Sequence, residues 1–206
     1  RFVRCSPTRC YDTKLIIRRR MKKLALLLLF SLTACGTTTT PPKALPVTEK
    51  TTLEEGTPYM IGEINRTNLL TYEHSQWFQK EYDFFKLNPS WVAEMKPLAH
   101  GLTYTLFLGT WCEDSQREVP GMLKILDALD VQAGDLTLYA MDEDKTTPQH
   151  FEEGLDIINI PTLIFYKDGK EMNRIVEFPV ESLYKDMGKI LKNEAYQHAY
   201  FDVANP

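Results

Sequence analysis

Apolar positions along this chain recur with two periods, and they divide most of it into strands and helices. Leu102 to Leu108 is an apolar, β-prone run. Asp135 to Met141 alternates Leu136, Leu138 and Ala140 with Thr137, Tyr139 and Met141, the period of a strand. Thr162 to Tyr166 and Met172 to Glu177 predict two more strands, paired through Asp168-Gly169, a dipeptide that favours a hairpin turn. Elsewhere the spacing lengthens. Gln116 to Leu129 predicts a helix, interrupted near Pro120-Gly121 because proline lacks the N–H a helix interior uses. Tyr72 to Phe85 predicts another, with Trp77, Tyr82 and Phe85 near helical spacing and Phe78 widening the stripe. Asn88-Pro89 supplies a cap and a first-turn proline for a third, Ser90 to Leu98. Pro148 to Gly154 reads as a short helix, Glu181 to Lys192 as a closing one, and the tail 193–206 receives no element. The aromatic stripe makes residues 59–100 a helical extension packed on the core, in preference to a peptide-binding surface.

Charge separates the chain into two regions. The 206 residues carry a net −4, yet residues 1–35 hold nine Lys/Arg and one Asp. The remainder has 15 basic against 27 acidic side chains, a net of −12. Without its first 35 residues the protein is strongly acidic, which disfavours nucleic acid or an anionic membrane surface as partner. Arg1 to Arg20 is basic and aperiodic. Met21-Lys22-Lys23 then opens a signal-peptide pattern, a short basic region followed by the apolar run Leu24 to Phe30. That run is too short to span a bilayer. Met21 is therefore read as the start, residues 1–20 as upstream translated sequence and 21–34 as signal peptide. Leu32-Thr33-Ala34-Cys35 has the form of a bacterial lipobox, so Cys35 is expected to be acylated. Several acyl chains anchor stably, since each buried CH₂ contributes about 0.8 kcal/mol. By resemblance to Gram-negative lipoproteins, Gly36 in place of Asp favours the outer membrane over the inner. Residues 35–58, rich in Thr and Pro, read as the lipidated cysteine and an extended tether.

Cysteine usage then singles out one thiol. Cys5 and Cys10 precede the signal and Cys35 would carry lipid, which leaves Cys112 in the mature protein. A lone exported cysteine is unusual, because exported cysteines are normally paired. Cys112 falls where a predicted strand gives way to a predicted helix. Unpaired backbone N–H groups and the positive end of the helix dipole act there, and both favour the thiolate, the nucleophilic form. Glu113 and Asp114 oppose it, and Arg117 is placed to offset them.

Trp111-Cys112-Glu113-Asp114-Ser115 resembles the Trp-Cys-x-x-Cys motif of the thioredoxin superfamily, with serine in place of the second cysteine. Pro120, eight residues after Cys112, matches the proline of the family's active-site helix. Ile160-Pro161-Thr162 and the run Leu163 to Gly169 look like its cis-proline loop and following hairpin. The likeness covers about 102 to 191, and Gly-Thr-Trp-Cys-x-Asp-Ser-x-Arg-Glu-Val-Pro is similar to a bacterial lipoprotein-type group. It implies an α/β fold with a central mixed sheet flanked by helices, Leu102 to Leu108 its central strand, and a thioredoxin-like domain over 101–192. It implies that Cys112 attacks disulfides, that Trp111 and Pro161 shape the groove, and that Ile160 offers backbone to a substrate peptide. Ser115 cannot resolve a mixed disulfide, although it could donate a hydrogen bond to the Cys112 thiolate. Leu106 stands where the family carries a buried proton-transferring aspartate.

Other chemistries find little support. His74, His100, His150 and His198 lack ligand spacing, no Gly-rich phosphate loop occurs, and no metal or cofactor is expected. Asp142, Glu143 and Asp144 lack a calcium-loop pattern and read as a solvated turn. The expectation is a lipid-anchored, periplasm-facing bacterial thiol–disulfide oxidoreductase or isomerase with one cysteine, an external resolving thiol, and protein or small thiols of the envelope as partners. The alternative is a redox-inactive binding module that holds an envelope protein in the same groove. Oligomeric state is left open.

Overall fold

The structure is a computed structural model that describes residues 42–52 and 54–204. Cys35, the signal-like run and the upstream stretch lie outside the described residues. Among the described residues six strands form one sheet: β1 (Thr48–Thr51), β2 (Pro58–Ile64), β3 (Leu102–Leu108), β4 (Leu136–Ala140), β5 (Thr162–Lys167) and β6 (Lys170–Val176). Their order across the sheet is β1-β2-β4-β3-β5-β6. The seven apolar-rich residues of β3 take the centre, parallel to β4 (Leu106 beside Leu138) and antiparallel to β5 (Leu106 beside Leu163). β5 and β6 form the expected hairpin, with Asp168 (φ 51°) and Gly169 (φ 73°) both left-handed, as a two-residue turn of this kind requires.

The helices are α1 (Arg66–Thr71), α2 (Gln76–Phe84), α3 (Pro89–Ala99), α4 (Glu113–Ala128), α5 (Leu183–Leu191) and α6 (Phe201–Ala204). Asn88 caps α3 by accepting the Trp91 N–H, and Ser182 caps α5 by accepting that of Lys185. Because alternate strand residues face opposite sides, β3 supplies two cores. Leu102, Tyr104, Leu106 and Leu108 join the larger one with Phe78, Met95, Met122 and Leu123. Phe107 joins a smaller one with Met141, Ile160 and Ile164, against which Trp111 and Cys112 pack. Phe78 and Met95 are buried in the larger core, so α2 and α3 lie on the sheet. Each such side chain contributes about 1.5–3 kcal/mol.

Several expectations are corrected. α4 starts three residues before the predicted helix, because Glu113, Asp114 and Ser115 form its first turn. It also runs unbroken through Pro120, which is buried. Gly121 beside it has a packing reason: a Cβ there would lie 2.8 Å from the Phe85 ring. Residues 148–154 form successive turns rather than a helix, since His150 (φ 56°) and Gly154 (φ 75°) are left-handed. The tail carries α6.

The stretch expected as a tether is docked from Pro42 onward. Thr67 Oγ1 donates to the Pro42 carbonyl at 2.7 Å and Asn65 Nδ2 to that of Lys43 at 2.8 Å. The buried Asn68 amide holds Leu45 twice, accepting its N–H at 3.1 Å and donating to its carbonyl at 2.9 Å. The chain then enters the sheet as β1, all four residues exposed, an edge strand with no apolar pattern to betray it. β2, expected to belong to a helical extension, opens on Pro58, a position a strand tolerates.

Candidate active site at the start of α4

β3 delivers the chain into Gly109-Thr110-Trp111, and Cys112 follows as the N-cap residue of the sixteen-residue α4. The Cys112 N–H donates to the Gly109 carbonyl at 3.1 Å, and its own carbonyl accepts the Gln116 N–H at 3.0 Å. No side chain caps this helix end. The Cys112 sulfur is half-buried and lies at the positive end of the helix dipole. It donates at 3.6 Å to the carbonyl of Ile160, and the Ile160–Pro161 peptide bond is cis, as read from the sequence. Cys112 is the free cysteine among the described residues.

Trp111 is fixed from three sides. Its Nε1 donates to the Met141 carbonyl at 2.9 Å, and Tyr59 meets its ring edge-on at 6.3 Å between centroids. Gly109 lies under it: a Cβ there would come within 2.8 Å of Ile160 Cδ1 and 3.0 Å of the indole. The loop is held in turn by Thr110, whose Oγ1 accepts the Met60 N–H at 3.1 Å and whose carbonyl accepts Gln116 Nε2 at 2.9 Å. Gly109 and Thr110 belong to the Gly-Thr-Trp-Cys motif, but neither had been given a role; Tyr59 and Met141 carried no site signal in the sequence.

Ser115 makes a contact that the motif does not imply. It is fully buried, and its Oγ accepts the N–H of Gly109 at 3.1 Å, so it braces the loop that carries Trp111 and Cys112. Arg117 is committed to Asp114 at 2.5 Å and Glu118 at 2.8 Å. Both pairs lie on the helix surface, and neither involves Glu113. Leu106 is buried in the large core. Asp142 is no solvated turn residue: it is buried, takes Lys50 Nζ at 2.6 Å and accepts the N–H and hydroxyl of Thr146. Burial pulls its carboxyl upward, but these hydrogen bonds outweigh it and hold the group below the usual carboxylate range. No cluster of metal-ligating side chains occurs among the described residues.

No family model matches the chain. A thioredoxin of Staphylococcus haemolyticus is 32% identical over 92 residues, 44% of this chain and 84% of the relative. A thioredoxin of Chlamydia trachomatis is 34% identical over 79 residues, 38% of this chain and 72% of the relative. The chain belongs to the thioredoxin superfamily. Its sheet flanked by helices fits that membership, and at this coarse level a redox role of oxidoreductase type comes with it, on protein or small thiols. Within this thioredoxin-like body, Trp111 and Cys112 pack against Ile160, which the cis bond joins to Pro161, Ser115 braces the loop from inside, and Arg117 pairs on the helix surface. A solved Pseudomonas aeruginosa protein of unknown function, with 14% identity and a TM-score of 0.43 over 65% of this chain and 87% of its own, is too loose a likeness to add to this.

Proposed function

We propose that the protein is a lipid-anchored envelope thiol–disulfide oxidoreductase or isomerase that works through Cys112 alone. The observation that carries the reading is the position of Cys112, half-buried at an uncapped helix start against the Ile160 carbonyl, with Ser115 buried behind it. The Cys112 thiolate attacks one sulfur of a client disulfide. A bond forms between Cys112 and that sulfur, the client's sulfur–sulfur bond breaks, and the other sulfur leaves as thiolate. One thiol cannot hold the two electrons of a disulfide couple internally. An external thiol must therefore attack the mixed disulfide, taking the client sulfur and returning Cys112 to thiol. On this reading Trp111 and Pro161 shape the groove, and the Ile160 backbone pairs with an extended peptide. Anchoring through an acylated Cys35, on the outer membrane and facing the periplasm, is part of the same proposal and rests on the lipobox pattern.

Incubation with oxidised glutathione or a disulfide-bonded peptide tests the chemistry. A stoichiometric adduct at Cys112 should appear by mass spectrometry and disappear with added thiol, and Cys112→Ala should form none. Absence of the adduct, with Cys112 resisting alkylation in the folded protein, would replace this reading by the redox-inactive binding module. Mass spectrometry of the mature N-terminus tests the anchor, which an unmodified terminus elsewhere would remove.

A further inference from the structure

The loop that faces Cys112 is gripped from a part of the chain that carries no motif. Glu177, immediately after β6, has φ 64°, a left-handed conformation that a glutamate adopts only when its surroundings impose it. In that conformation its N–H donates to the Pro161 carbonyl at 2.6 Å. Its carboxylate accepts Asn159 Nδ2 at 3.4 Å and the hydroxyl of Tyr200. Asn159 is further tied by Thr162 Oγ1, which donates to its carbonyl at 2.6 Å. Glu177 thus holds both flanks of Ile160, whose carbonyl touches the Cys112 sulfur. Tyr200 comes from the tail and is itself well anchored. Asn173 Nδ2 donates to the Tyr196 carbonyl at 2.9 Å, the Tyr196 hydroxyl donates to the buried Asp186 at 2.9 Å, and Phe178 packs edge-on against the Tyr200 ring.

We infer that the C-terminal tail is part of the Cys112 site, with Tyr200 and Glu177 as positioning residues that fix the Ile160–Pro161 loop against the thiol. Neither touches the reacting sulfur. Tyr200 acts on Glu177, and Glu177 on the loop. The kinetic consequence rests on the thiol–disulfide reading, while the structural consequence does not.

Tyr200→Phe keeps the ring, the Phe178 contact and the Tyr196 anchors, and removes only the hydroxyl. Amide hydrogen exchange by NMR reads the structural effect directly. The Glu177 N–H should exchange about five- to tenfold faster, the factor expected for loss of one supporting hydrogen bond, with the Tyr196 region unchanged. Exchange with a disulfide-bonded peptide at Cys112 should slow by a similar factor, while alkylation by iodoacetamide, which needs no loop contact, stays within about twofold. Glu177→Gln, with Tyr200 intact, keeps an acceptor oxygen for the hydroxyl and the backbone donor, and should leave both readouts near wild type. An unchanged Glu177 exchange rate in Tyr200→Phe overturns the inference, as does a loss of peptide exchange matched by equal losses in alkylation and melting temperature. If wild type forms no peptide adduct, the thiol–disulfide reading falls, and the amide measurement still decides whether the tail positions the loop.

Discussion

Replacing Ser115 with alanine separates a bracing role from a chemical one. The side chain is fully buried and its Oγ accepts the Gly109 N–H at 3.1 Å in a buried setting. Alanine fits the space and removes the acceptor, leaving a donor with neither protein nor water. Such an orphan costs about 1–3 kcal/mol. At about 2–4 °C per kcal/mol for a domain of this size, the melting temperature should fall by roughly 2–12 °C. Calorimetry in the presence of reductant measures it without interference from Cys112 adducts. Ser115→Cys should fall between the two, because sulfur is a weaker acceptor than oxygen. Without reductant, that variant places a second thiol one helical turn from Cys112 and should convert the mixed disulfide into an internal one. An alanine variant that melts within about 1 °C of wild type would refute the bracing role, since no orphaned buried N–H is that cheap.

Gly109→Ala should drive Trp111 off the Met141 carbonyl, because the new methyl would meet Ile160 at 2.8 Å and the indole at 3.0 Å; a loss of about 1–3 kcal/mol and a shift in tryptophan fluorescence are expected, and an unchanged spectrum would count against it. The Lys50–Asp142 tie should hold β1 across a defined pH window. The folded carboxyl of Asp142 is depressed, so its contribution is present above its unfolded value of about 4 and is lost as pH falls through the folded one. Lys50 is raised by its bond to Asp142, so its contribution is full below about 10.4 and is lost as pH rises through the folded value. With Lys50 half exposed the effect is at most about 1 kcal/mol, read as amide protection factors of β1, and Asp142→Asn should abolish both edges; protection that stays flat from pH 6 down to 2 would contradict the sign. Asn68→Ala should release Pro42 to Leu45 and speed trypsin cleavage after the exposed Lys43 by about tenfold or more, whereas resistance equal to wild type would mean the clamp does not hold this stretch.

What the sequence made legible follows from where side chains carry the information. β3 and the β5–β6 hairpin could be placed closely, because β3 buries Leu102, Tyr104, Leu106 and Leu108 on one face and Phe107 on the other, and Asp168-Gly169 specifies the hairpin turn. The start of α3 could be placed because Asn88 and Pro89 carry cap chemistry in their own side chains. β1 could not, since Thr48 to Thr51 pair through the backbone and bury nothing. The first turn of α4 was blurred by polar residues that carry no apolar period, although Glu113 and Asp114 are themselves a helix-start signal. At the candidate site, the motifs pointed to Cys112, Trp111 and Pro161, the residues with distinctive chemistry. It could not assign Ser115 to the Gly109 N–H, nor link Glu177 to Tyr200, because those roles depend on which backbone the fold brings alongside.

The docked N-terminal stretch and the thiol occupy opposite ends of the sheet, and this bears on how an anchored protein would be presented. The Pro42–Leu45 clamp adjoins the end of β2 at Ile64 and the start of β4 at Leu136. Trp111 and Cys112 lie past the other end of β4, where the Met141 carbonyl receives the indole. Five residues of strand separate these ends by roughly 15 Å. On the lipid-anchored reading the distance matters because docking from Pro42 would leave six residues, 36–41, between Cys35 and the clamp, a contour of at most about 20 Å, whereas a tether running to Pro58 would let the body swing and roll freely. On the lipid-anchored reading, the clamped end stays near the lipid and the Cys112 groove faces away from it, towards soluble clients. Release of the clamp would lengthen the leash by several residues and remove that bias. Asn68→Ala in the full-length anchored protein should therefore bring Cys112 within reach of a lipid-tethered alkylating reagent without changing its reaction with a soluble one, and equal labelling of variant and wild type by both reagents would show that the clamp sets no orientation.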